Sequence, residues 1–102
     1  MTQIGPHHRA LVDRILGDGG TAPHRLRRAA FDDAGLDEPV RTLVDKVASG
    51  AYRVTDDDIA ATLAAGLTED QVFELVVCAA VGEATRQYEN GLAALDAATG
   101  EA

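Results

Sequence analysis

The stretch VFELVVCAAVGEATRQYENGLAAL, residues 72–95, decides the fold. On a helix turning about 100° per residue, Phe73, Val77, Ala80, Ala84, Gly91 and Leu95 form one stripe, flanked by Val76, Val81 and Tyr88. The small residues at 80, 84 and 91 let another helix come close. From Val72 to Val81 the surface is apolar nearly all round, broken only by Glu74. A helix of that kind is central in a bundle or is covered by a partner subunit. Beyond it, Glu83, Arg86, Gln87 and Asn90 give the helix a polar side.

Upstream, the chain divides into four shorter helical segments. PHHRALVDRIL, residues 6–16, sets Leu11 and Ile15 on one face, and GDGG at 17–20 offers a positive-φ C-cap and a loop. Pro23 suits a first helical turn, Leu26, Ala29, Ala30 and Phe31 follow as an apolar face, and Gly35 closes the segment. Asp37-Glu38-Pro39 opens a third helix with Val40, Leu43, Val44 and Val47 at helical spacing; its acids complement the helix dipole, and Ser49-Gly50 ends it. Thr55-Asp56-Asp57-Asp58 is a partial capping box, with Asp where Glu or Gln is usual, and Thr68-Glu69-Asp70-Gln71 is a full one. No segment alternates with period two, and no internal repeat is visible. The expectation is one all-α domain over residues 1–102, a small bundle of about five helices with a long last one, its end frayed from residue 96.

The chain has 102 residues, few aromatics and much alanine, so its core is thin and oligomerisation is an expected source of stability. The net charge of −8 is uneven: residues 1–53 carry +1 and residues 54–102 carry −9. An acidic C-terminal half speaks against a nucleic-acid partner, whose phosphates need a positive footprint. The basic cluster HRLRR, His24–Arg28, reads as a solvated helix face. A single cysteine makes no internal disulfide, and MTQIGPHHRALVDR has no apolar leader segment. The apolar run Leu75–Val81 is too short for a membrane span, so the expected location is cytoplasmic and no membrane partner is expected.

Glu74 and Cys78, four apart, share one side of the long helix with Val81 and Thr85 nearby. A carboxyl group in a dry setting has a raised pKa and serves as a general acid or base. The same carboxylate disfavours the Cys78 thiolate, so the pattern suits a carboxyl acid/base better than a reactive thiol. Against this stands the reading of Glu74 as an ion-pair partner for Arg86 of a neighbouring chain, or for Arg25, Arg27 or Arg28, with Cys78 as a small core residue. The other constellations are weak. His7 and His8 point about 100° apart and with His24 lack zinc-site spacing, so no metal is expected. GDGGTAP lacks a phosphate-loop lysine, Ser49 has no nucleophile elbow around it, and the Asp56–Asp58 run lacks the alternating ligands and central glycine of a calcium loop. Tyr52 and Tyr88 read as rings buried with bonded hydroxyls.

VTDDDIAATLAAGLTEDQVFELVVCAAVGEATRQYENGL resembles the C-terminal part of the carboxymuconolactone decarboxylase-like, or alkylhydroperoxidase-D-like, family. VTDDDIAATLAAGLTEDQVFEL is similar to its short helix, glycine turn and capped long helix; AAVGEATRQYENGLAAL is similar to the small-residue helix that follows. The resemblance spans residues 54–95. It implies an all-α bundle assembling as a homo-oligomer, a dimer, trimer or hexamer. Thiol-dependent members use a glutamate upstream of a Cys-x-x-Cys-x-x-x-His motif. Here Cys78 is followed by Ala79, Ala80 and Val81, with no second cysteine and no histidine after His24, so the redox motif is missing. The reading is therefore a non-redox scaffold or accessory protein, without cofactor, that binds itself or a partner enzyme. The alternative is a cofactor-free acid/base enzyme on a small organic acid or lactone, with Glu74 as acid or base and Arg86 as carboxylate anchor. A one-cysteine peroxidase at Cys78 is the third reading.

Overall fold

The computed structural model describes residues 5–100. Five α-helices follow in order: α1 Pro6–Leu16, α2 His24–Asp32, α3 Val40–Gly50, α4 Asp56–Ala64 and α5 Glu69–Thr99, with a 3-10 turn at Ala51–Arg53 between α3 and α4. Among the described residues there is no strand. The helices start where local chemistry satisfies their free amides. Thr55 accepts from the Asp58 amide while the Asp58 carboxylate accepts from the Thr55 amide, so the box with Asp in third place is complete. Thr68 and Gln71 do the same for α5. Each such cap stabilises its helix by about 1 kcal/mol. Glu38 caps α3 differently, accepting from both the amide and the hydroxyl of Thr42.

The α5 helix is the axis of the bundle, and α2 and α3 pack most extensively against it. Its inward face carries Val72, Leu75, Cys78, Ala79, Gly82 and Thr85. These meet Ala30 and Phe31 of α2 and Val40, Leu43, Val44 and Val47 of α3 in one apolar core. Gly82 lets α2 and α5 touch backbone to backbone: a Cβ there would lie 1.9 Å from the Phe31 carbonyl oxygen.

Three sequence expectations need correction, and one open alternative narrows. The stripe Phe73–Leu95, left open as central in the bundle or covered by a partner subunit, does not face the core of its own chain; the inward face lies on the opposite side of the helix, and Phe73 is 68% exposed. A run that is apolar all round leaves the choice of face to the partners, and Gly82 decides it. Residues 96–99 are helical, and Gly100, at φ 79°, ends α5; residues 101–102 lie outside the described residues. At 17–20 no glycine takes a positive φ, because Arg27 rather than a left-handed turn satisfies the end of α1. Arg27, assigned to a solvated face, is only 4% exposed.

Candidate functional site

The loop 17–23 between α1 and α2 folds over the first turns of α5. Its anchor is Glu74. The Thr21 amide donates to both carboxylate oxygens at 2.9 Å, the Thr21 hydroxyl to Oε2 at 2.5 Å, and the Ala22 amide to Oε1 at 3.0 Å. Gly20 must be small for this to form, since a Cβ there would sit 2.4 Å from Glu74 Oε1. Beside it, the buried Arg27 spreads its guanidinium over backbone carbonyls, donating from Nε to Ala22 at 3.0 Å and from Nη1 to Ile15 at 2.9 Å and to Gly17. Arg27 therefore satisfies the end of α1, and Glu74 the amides just ahead of α2.

Between this loop, the end of α1 and α5 lies a cleft of about 330 Å³, lined by Arg14, Ile15, Gly19, Gly20, Phe73, Glu74 and Val77. Glu74 thus faces a cleft, as an acid/base group must. Its chemistry differs from the sequence expectation of a raised pKa. Burial pushes the carboxyl up, but the Thr21 hydroxyl, the Ala22 and Thr21 amides and the Arg27 charge outweigh it and hold the pKa below the ordinary value. The group is an ionised, hydrogen-bonded carboxylate and a weak base.

Cys78 lies one turn deeper and is 1% exposed, its thiol directed at the Ile15 carbonyl at 3.8 Å. Burial pushes its pKa up; Arg27 opposes and the Glu74 charge adds to the rise. Arg86 is not brought to Glu74: twelve residues of helix separate them, about 18 Å. Its Nη1 donates to the Phe31 carbonyl at 2.6 Å and its Nη2 to Glu83 at 3.2 Å. The proposed anchor for a substrate carboxylate is thus occupied at the other end of α2.

The tyrosines differ from expectation as well. Tyr52 is 91% exposed, and Tyr88 is exposed with its ring stacked on His8 at 6.0 Å between centroids. His8 Nε2 lies 2.6 Å from the Thr85 hydroxyl, which itself donates to the Val81 carbonyl, so Nε2 carries the proton and donates. Among the described residues, no three His, Cys, Asp or Glu side chains gather to hold a metal ion.

Sequence reasoning missed the roles of Thr21, Arg27 and Asp33. Thr21-Ala22-Pro23, just before α2, was the one local signal for a bonded loop. Asp33, the left-handed C-cap of α2, has a pKa raised to about 6, by burial first and by a hydrogen bond and repulsion from Asp45 next, with Arg86 opposing.

Comparison of the chain with models of protein families, with curated proteins and with solved structures finds no match.

Proposed function

We propose that this chain is a non-redox helical scaffold or accessory protein of the cytoplasm, similar in design to the carboxymuconolactone decarboxylase-like bundles, that works by assembling with itself or with a partner enzyme. One observation carries the reading. Glu74, Cys78 and Arg86, the chemically capable groups of α5, all point inward or into loops and spend their bonding capacity there, while the opposite face of the same helix is apolar and uncovered. Ion pairs and hydrogen bonds consumed by the fold leave little for turnover; an uncovered apolar face calls for a partner.

The second reading is a cofactor-free acid/base enzyme on a small organic acid or lactone. The cleft beside Glu74 favours it, and Arg14 on the cleft wall, rather than Arg86, is the cation placed to meet a carboxylate. The two readings separate in one experiment. Native mass spectrometry of the tagged protein from its own host is expected to show an assembly without a small-molecule adduct. A bound small acid, together with turnover lost in Glu74→Gln, would establish the enzyme instead.

A further inference from the structure

A groove between α4 and α5 forms a second concavity, separate from the Glu74 cleft. It holds about 350 Å³ and is lined by Ile59 and Leu63 of α4 and by Glu69, Val72, Phe73 and Val76 of α5. The exposed Phe73 borders both concavities. Glu69 is the one polar residue of the groove wall. Past their capped first turns, the walls are helices whose backbone groups bond within α4 and α5, so the groove has no edge to which an extended chain can add as a strand. An occupant must satisfy its own backbone before it enters. That selects a helix with an apolar stripe.

Charge fixes the rest of that helix. Asp56 stands three residues ahead of Ile59 on the α4 wall, and Glu69 follows the turn that ends α4, so each end of that wall carries an acid. Asp57 and Asp70 adjoin them in the same first turns. Among the described residues the ion pairs are Arg28–Asp32, Arg41–Glu38, Lys46–Asp58 and Arg86–Glu83, and none includes these four acids. The helix dipoles neutralise only part of this charge, since each helix start offers about half a positive charge against two unpaired carboxylates. From Val54 on, the one cation in the sequence is Arg86, and it is spent on Glu83 and the Phe31 carbonyl. A second copy brings a net charge of −8, with Arg28, Arg41, Lys46 and Arg86 already bound to its own acids. An anionic membrane or a nucleic acid brings still more negative charge. Lysine or arginine beside an apolar stripe meets attraction instead.

We propose that the α4–α5 groove binds a basic amphipathic helix of a partner protein. Its apolar side chains, one helical turn apart, seat over Ile59, Leu63 and Phe73, and its Lys or Arg residues, roughly two turns apart, meet Asp56 and Glu69. The inference rests on the scaffold reading and names the chemistry of its partner. A displayed library of α-helical peptides, randomised along one face and selected on the intact chain, tests it. The enriched face should carry an apolar pair flanked by Lys or Arg, and its affinity should fall as salt rises. Phe73→Ser should weaken the selected peptide about tenfold or more, and Glu69→Gln about threefold. Helical circular dichroism should stay unchanged in both, since both side chains are exposed. Glu89→Gln combined with Asp96→Asn removes charge at least about 30 Å along α5 from Glu69 and should leave the affinity as it was. Enrichment of neutral or acidic faces, or no enrichment, would overturn the inference. So would binding that falls in Phe73→Ser but survives Glu69→Gln unchanged, because Phe73 also borders the Glu74 cleft. A stoichiometric complex with a host protein that both variants leave intact would remove the groove and keep the scaffold reading. Turnover of a lactone or small acid that depends on Glu74 would remove the scaffold reading itself.

Discussion

Glu74 and Arg86, twelve positions apart on α5, hold the two ends of α2. The carboxylate accepts from the amides just before the helix and the guanidinium donates to the Phe31 carbonyl in its last turn. Each charge has the sign that the helix dipole favours at its end. The separation of about 18 Å along α5 slightly exceeds the length of a nine-residue helix, which is why one helix can clamp the other.

Removing the clamp at Glu74 should cost stability whether or not the protein is an enzyme. Glu74→Gln keeps one acceptor and loses the charge, and is expected to lower unfolding free energy by about 1–2 kcal/mol. Glu74→Ala should cost more, and hydrogen exchange at Thr21 and Ala22 should rise in both. Urea melts check the first statement. Wild-type stability in Glu74→Ala would mean that the loop is not held by this carboxylate.

Gly82→Ala is expected to destabilise by about 2–3 kcal/mol, since the added methyl meets backbone rather than a movable side chain. At Gly91 a Cβ meets nothing within 4 Å. There the same substitution, measured at dilution, should stabilise α5 by about 0.5–1 kcal/mol through helix propensity. Equal effects at the two sites would show that α2 and α5 do not approach as closely as Gly82 allows.

Cys78 should be inert in the native protein. Its thiol is buried and its pKa raised, so labelling requires opening of the core. A maleimide reagent should react about a thousandfold or more slower with native than with urea-unfolded protein. Labelling at the unfolded rate would revive the one-cysteine peroxidase.

Stability should peak near about pH 5. Asp33 binds its proton more tightly when folded, so its contribution is full below the unfolded value of 3.8 and is lost as pH rises through about 6. Glu38, Asp58, Glu74 and Glu83 have lowered values; their contributions are present above the ordinary 4.5 for glutamate and 3.8 for aspartate and are lost as pH falls below them. Thermal melts should therefore show Tm rising on acidification from neutral pH and falling on the far side of the peak. Asp33→Asn, which suits the left-handed backbone at that position, should flatten the neutral limb and leave the acid limb in place. An unchanged neutral limb would show that Asp33 does not titrate there.

The number, order and approximate limits of the helices were legible in the sequence by itself, because the signals that start and stop helices are local. Thr55 with Asp58 and Thr68 with Gln71 bond within four residues, and Val40, Leu43, Val44 and Val47 mark the inward face of α3 by spacing alone. The candidate site was legible only as a list of capable residues. Glu74 and Cys78 are neighbours on α5 as the spacing requires, yet their partners, Thr21 and Ile15, come from more than fifty residues away. Only the tertiary structure decided which side of α5 faces inward. Val72 to Val81 is apolar nearly all round, so burial energy hardly distinguishes one side from the other. What distinguishes them is contact: Gly82 against the Phe31 backbone, and the two charged side chains reaching the ends of α2. That choice turned the more conspicuous stripe, from Phe73 to Leu95, outward.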